Sequence, residues 1–230
     1  MVITAVRDDG VVTLTIDDGK VNAFGLPFFA ELDTALDEAV DAAALVIAGR
    51  DGMLSAGLDM KIMGSDDMAA MEDLLVACGE TMLRLWLEPR PVVVAATGHA
   101  VAGGTILCLA ADHAVAADGA YKWGLIETTI GFALPRWIIA LARGSVRVDR
   151  LDGLLLPGTV VDPKTAVEVG FADELAASGA VRDRAVDRAR VLARLPGAAY
   201  AETKRRLRGA SADAVSSSMR ADVRALLALR

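Results

Sequence analysis

Residues 92–111, VVVAATGHAVAGGTILCLAA, run for twenty positions without a formal charge, long enough for a membrane-spanning helix. The residues themselves argue otherwise. Gly98 and the Gly103-Gly104 pair interrupt the segment, leaving a β-branched run at Val92–Thr97, a turn, and a short apolar helix at Gly103–Ala111 that Asp112 closes. Length is the only property that favours insertion. The segment therefore reads as a buried strand, turn and helix inside a globular domain, with no membrane insertion.

The flanking sequence extends this alternation. His113–Ala117 supplies another apolar strand. Upstream, Asp66–Leu87 predicts a helix with Met68, Met71, Leu74, Leu75, Met82, Leu85 and Trp86 on its apolar side, stopped by Pro89 and Pro91. Leu45–Ala48 reads as a buried strand, and Pro27 opens a helix carrying Phe28, Phe29, Leu32 and Leu36 at helical spacing. Val2–Arg7 and Val11–Ile16 flank Asp8-Asp9-Gly10, which predicts a hairpin. Alternating strands and helices argue for an α/β fold with crossover connections. Beyond residue 162 the chain turns helical, with helices expected at Pro163–Val169, Val181–Leu195, Ala199–Arg208 and Ala212–Leu229. No internal repeat or Ser/Pro-rich linker is visible.

Composition narrows the function. The chain has 230 residues, 54% hydrophobic and 24% charged, which excludes disordered and low-complexity classes. Two His, two Cys and ten aromatic residues support neither a histidine-rich metal site nor a stacking platform for single-stranded nucleic acid. The formal charge of −7 disfavours a nucleic-acid partner. It hides an asymmetry: six basic against nineteen acidic residues before position 121, and eighteen against twelve after it. Cys78 and Cys108 have no metal or redox spacing, and MVITAVRDDG lacks a long apolar run, so a cytoplasmic protein without a secretory signal is expected.

Two loops carry candidate chemistry. Ser55-Ala56-Gly57-Leu58-Asp59-Met60 follows a strand and precedes a helical pattern, as Gly103-Gly104 does. Small residues there let backbone approach a ligand, and free N–H groups at a helix start can bond a polarised carbonyl. Two such donors converging on one oxygen form an oxyanion hole. Either loop alone is more often a turn or packing device.

The whole pattern is more specific. GKVNAF, a helix, LVIAGRDGMLSAGLDM, RPVVVAATGHAVAGG, LAADHAVAA and GLIETTIGFALP resemble, in order and spacing, the crotonase (enoyl-CoA hydratase/isomerase) superfamily. The resemblance covers residues 1–175, with PKTAVEVGFADEL continuing it. It implies a spiral of ββα units over 1–175, as in ClpP/crotonase-like folds, and a helical trimerisation region over 176–230. It also implies enolate chemistry on acyl-CoA thioesters in fatty-acid metabolism, with no cofactor besides the coenzyme A of the substrate, and assembly as a homotrimer or dimer of trimers.

Carried over by position, Leu58 and Gly103 are the two backbone donors. Ala23, Ser55, Ala56, Gly57, Asp59, Met60, Lys61 and Gly104 surround them as expected substrate contacts, Asp59 also as a helix cap. Hydratases of the superfamily use two glutamates. Counting back from Asp112, the first falls on Ile106, which cannot transfer a proton, and Glu127 matches the second. One acid–base fits a proton shuttle, and SAGLD, LRLWLEP, AGGTILCLAAD and GLIETTIGFALPRW more closely resemble the mitochondrial 3-enoyl-CoA to 2-enoyl-CoA isomerases. The alternatives are an enoyl-CoA hydratase and a non-catalytic acyl-CoA binder. Met60, Met63 and Trp86 are candidates for an acyl pocket, and Lys61, Lys204, Arg205, Arg206 and Arg208 for coenzyme A phosphates. His99 and His113 read as turn or core residues, Cys108 as packing.

Overall fold

The first hairpin forms as its turn chemistry predicts: Asp9 and Gly10 both take positive φ, and strands β1 (Val2–Asp8) and β2 (Val11–Asp17) pair antiparallel from Asp8 opposite Val11. The computed structural model describes residues 2–229. After the hairpin come β3 (Ala23–Phe24), α1 (Leu26–Glu38), β4 (Ala44–Ala48), β5 (Gly52–Ser55), β6 (Gly57–Leu58), α2 (Met60–Met63) and α3 (Met68–Leu87). The segment 92–111 folds as β7 (Val92–Ala96), β8 (Gly98–Val101) and α4 (Gly103–Ala110), so its turn carries a strand of its own. Next are β9 (His113–Asp118), β10 (Trp123–Gly124), α5 (Arg136–Ser145), α6 (Leu151–Leu155), α7 (Pro163–Val169) and β11 (Glu174–Ala177). The chain finishes with α8 (Val181–Ala193), α9 (Gly197–Ser216) and α10 (Met219–Leu227).

The strands build a six-stranded sheet in the order β1-β2-β4-β7-β9-β11, parallel except for the hairpin, and two small parallel sheets, β10-β8-β5 and β3-β6. Each turn of chain lays one strand in the large sheet, steps to a short strand in a small one, and returns through helix. This is the expected ββα spiral, repeated in backbone although no repeat shows in the sequence.

Both faces of the large sheet are covered, which is why its central strands are apolar throughout. Leu45 and Ile47, Val92 and Val94, and Ala114 and Ala116 face the main core with α1, α3 and α4. Ala44, Val46, Ala48, Val93, Ala95, Val115 and Ala117 face Val181, Ala185 and Ala189 of α8. Small side chains on both partners let α8 lie close to the strands. The expected division after residue 175 falls inside β11, which pairs with β9, and α8 completes the same core. α9 and α10 pack on α3 and α5 of their own chain. Their junction lies at Ser217-Ser218, later than expected, where both hydroxyls donate to the Ala214 carbonyl.

The charge asymmetry resolves inside the molecule. Arg182 pairs with Asp51, Arg190 with Asp8, Arg220 with Glu72 and Asp73, and Arg224 with Glu72. Lys204, a candidate for phosphate binding, is instead buried. Its ammonium donates to the Glu88 and Arg90 carbonyls and to Asp112 Oδ2 at 2.6 Å. Arg208 donates to Asp112 Oδ1, Trp86 O and Ala111 O and lies over the Trp86 ring. Both cations serve as internal clamps because their stems enter the fold beside carbonyls that would otherwise lack partners. Arg205 and Arg206 pair with Glu202 on the exposed face of α9.

Asp112 also accepts the Val92 N–H at 2.8 Å, so one carboxylate joins the start of β7, the end of α4 and α9. Removing one partner of a buried ion pair leaves the other uncompensated. Asp112→Asn is expected to lower unfolding free energy by about 3–5 kcal/mol, measured by urea denaturation, whereas Glu202→Gln, at an exposed pair, is expected to leave it nearly unchanged.

Candidate active site

The site begins at a strained asparagine. Asn22 has φ +51°, a left-handed conformation Asn tolerates. Its buried amide donates to Ile16 O and Leu54 O, and its Oδ1 accepts the Asp18 N–H. These bonds seat β3 beside β6, with Ala23 opposite Gly57 and Phe24 opposite Leu58. The Phe24 ring stacks on Phe28 at 4.0 Å and anchors the strand to α1.

Glycine then brings two loops together. Gly57 has φ +105°, and a Cβ there would stand 2.8 Å from Ala102 Cβ and 3.3 Å from Gly103 N. A Cβ on Gly103 would reach Gly57 Cα at 3.2 Å. The loops therefore touch backbone to backbone, as only glycine allows.

The directions of the two N–H groups follow from their neighbours. Successive N–H groups along a strand point to opposite sides. Asp59 N–H bonds Phe24 O at 3.0 Å, so Leu58 N–H points away from β3. Ala102 O accepts from Ile106 N–H at 2.9 Å along the axis of α4, so the trans peptide aims Gly103 N–H out of the helix start. Ala102 itself has φ +49°, unusual for a side-chain-bearing residue, and is held by its N–H bond to Gly124 O at 2.8 Å.

Beside these donors lies a cavity of about 290 Å³ lined by Ala56, Leu58, Met60, Met63, Leu75, Cys78, Ala102, Ile106, Ile126, Glu127, Ile130, Phe132, Pro135, Trp137 and Ile138. Glu127 opens a tight 3₁₀ turn, Glu127–Ile130, closed by Gly131 at φ +76°. It is the one acidic residue in the lining. Its Oε2 is buried without a hydrogen-bond partner, and burial pushes the carboxyl up to about 7. Ile106, 1% exposed, stands in the same wall on α4. Cys78 is a neutral thiol, pushed well up by burial and then by the charge of Glu127.

The remaining sequence candidates separate into three groups. Ala56 and Met60 join Leu58 and Glu127 at the cavity surface, while Ala23 and Gly57 stand one strand pair away. Ser55 and Gly104 are outside the lining. The Ser55 hydroxyl donates to Asn22 O at 2.6 Å and accepts from Gly57 N–H at 3.0 Å, so it braces the loop. Gly104 lets α4 approach Ser55, whose carbonyl oxygen would lie 2.6 Å from a Cβ. Asp59 caps α2 by accepting from Lys61 N–H, and Lys61 is exposed.

Trp86 does not reach the cavity. It lies eight residues beyond Cys78 along α3, about 12 Å by helical rise, and packs between Gly144 and Arg208. Met63 lines the cavity as expected, but the tryptophan there is Trp137 of GFALPRW, missed together with Phe132 and Ile138. The Pro135-Arg136 start of a helix was the available signal: the two turns after it place Trp137, Ile138 and Leu141 inward. His99 accepts from Lys122 N–H, and His113 faces Asp173 and Glu174, both outside the lining. Cys108 is buried packing.

Comparison with known proteins gives the family of this fold. The chain is 26% identical over 219 residues to the mitochondrial enoyl-CoA delta isomerase 1 of Rattus norvegicus, covering 93% of this chain and 76% of that protein. It is 30% identical over 227 residues to a probable enoyl-CoA hydratase, EchA17, of Mycobacterium avium, covering 94% and 83%. The apo structure of the Mycobacterium tuberculosis enoyl-CoA isomerase superposes with a TM-score of 0.90 at 33% identity, over 98% of this chain and 97% of that one. The sequence profile described as enoyl-CoA hydratase/isomerase matches residues 7–229. The chain belongs to the enoyl-CoA hydratase/isomerase family, within the crotonase superfamily.

Proposed function

We propose that this enoyl-CoA-processing enzyme moves the double bond of a 3-enoyl-CoA to give the 2-enoyl-CoA, with Glu127 as proton shuttle. One observation carries the reading: a single carboxylate faces the cavity, and Ile106 presents hydrocarbon from the wall of α4. Hydration needs a water held and activated for attack at C3, and a second acid is the group suited to hold it. Isomerisation needs one base that becomes one acid.

The steps balance on that group. Leu58 N–H and Gly103 N–H donate to the thioester oxygen. The Glu127 carboxylate takes a proton from C2, and the electrons released spread as a dienolate from C4 to that oxygen. Protonated Glu127 returns the proton at C4, leaving the double bond between C2 and C3. The two amides stabilise the charge without side-chain chemistry, an effect worth about 10²–10³ in rate per donor elsewhere. The isomerase names of the rat and M. tuberculosis relatives support this reading, and the M. avium name supplies the hydratase alternative. Assembly as a homotrimer or dimer of trimers belongs to the same proposal, as does action on fatty acyl-CoA.

Glu127→Gln is expected to lower kcat for 3-enoyl-CoA by at least about 10²-fold, followed by product analysis. Near-full activity would falsify the assignment. Given a 2-enoyl-CoA, the wild type should form little 3-hydroxyacyl-CoA, and rapid hydration would establish the hydratase instead. Because the base must start ionised, kcat/KM should fall as pH drops through about 7.

The same carboxyl affects stability with a definite sign. In the folded chain it keeps its proton up to about 7, whereas a free glutamate releases it near 4.5. The folded state thus binds more protons between these values, and stability falls as pH rises across that window. Glu127→Gln, which has no charge to bury, should be more stable than wild type at pH 8 by about 1–3 kcal/mol. The two should converge below pH 4.5 in denaturant titrations.

A further inference from the structure

We propose that Gly79 sets the depth of the cavity, by letting the Trp137 ring seat against α3, and thereby fixes the length of straight acyl chain the enzyme accepts. This rests on the cavity being the acyl site of a CoA thioester. The cavity has a wet end and a dry end. Met60 and Ile130 are 58% and 48% exposed at its mouth, whereas Leu75, Cys78, Trp137 and Ile138 are no more than 3% exposed. An acyl chain whose thioester lies at the amides of Leu58 and Gly103 runs toward that closed end.

Gly79 sits in the middle of the twenty-residue α3, where glycine is the poorest helix former after proline. Packing accounts for it. A Cβ at Gly79 would lie 3.0 Å from Trp137 Nε1, and 2.7 and 2.9 Å from Sδ and Cε of Met219. The Met219 thioether ends a flexible side chain and can turn aside. The indole is rigid, 1% exposed, and has the cavity as the open space beside it. A methyl group at 79 therefore presses the ring a few tenths of an ångström toward the acyl path. The Trp137 N–H is buried without a hydrogen-bond partner, so the ring's position rests on shape rather than on a polar tie.

The space sets a scale. At about 30 Å³ for a group the size of a water molecule, the cavity of about 290 Å³ holds roughly ten such groups. The thioester sulfur, carbon and oxygen take three, which leaves an acyl chain of about eight carbons in all.

Saturated acyl-CoAs from four to fourteen carbons test this by calorimetry, since they bind without a double bond to move. Wild-type Kd should tighten by up to about fourfold per methylene and level off near eight carbons. Gly79→Ala should weaken eight-carbon binding by up to about fourfold with four-carbon binding unchanged, and the added Trp137→Phe, which removes Nε1, should give the profile of Trp137→Phe alone. Should Gly79→Ala fail to fold, Trp137→Phe alone should extend the profile by about two carbons. An unchanged profile in a folded Gly79→Ala variant, an unchanged profile in Trp137→Phe, or restoration by Met219→Ala but not by Trp137→Phe overturns the inference. Length-dependent binding without isomerase turnover would sink the proposed reaction and leave this inference standing, whereas wild-type affinity indifferent to chain length would sink the acyl site itself.

Discussion

The contact between the Gly57 and Gly103 backbones is the constraint on which the site depends. It is made by two residues without side chains, from loops 46 positions apart in sequence. Each loop leaves a different strand of the large sheet and steps to a small sheet before reaching its helix. The spiral exists at this point to bring two main-chain donors side by side. Neither backbone amide has a charge or a titrating group, so the proposed oxyanion site does not itself titrate. The supports are equally economical: Asn22 and Ser55 tie one loop, and the strained Ala102 orients the other.

A second constraint is electrostatic and acts across the chain. The acidic first half and basic second half are matched within one molecule, and Asp112 is where the match is buried. Its two oxygens meet Lys204 and Arg208, and those cations also satisfy carbonyls at the end of α3 and at Arg90. Burial pulls the Lys204 ammonium down, while the charge of Asp112 opposes that pull. Such a cluster gives little net stability compared with hydrocarbon, and its bonds tie α9 to the end of α3 and, through Asp112, to the start of β7. The same helix packs on α3, whose inner face forms the floor of the cavity.

Much of this architecture was legible because it obeys periodic rules. The run at 92–111, the hairpin turn, the proline-opened α1 and the amphipathic α3 all declare themselves by spacing. The short strands β3, β6 and β10, two residues each, did not, because two residues carry no period. Glu127, Leu58 and Gly103 were legible only through resemblance. Nothing in local sequence distinguishes Glu127 from a loop acid; its apolar surroundings come from other segments, among them Leu75 and Cys78 of α3 and Ile106 of α4. Trp137 rather than Trp86 reaches the cavity, for a reason that needs the crossing of α5 over α3. Lys204 and Arg208 turn inward to partners contributed from 92 or more positions away, a separation no motif records.

The two-residue pairing of β3 with β6 has a consequence for how the protein fails on heating. The large sheet has six strands and both faces covered, whereas Gly57–Leu58 is paired to β3 by a ladder only two positions long, braced by Asn22 and Ser55. Cooperative units of unequal size open at unequal free energies. Opening that short ladder is therefore expected to need less free energy than melting the large sheet, so the proposed donors can separate while circular dichroism still reports a native fold.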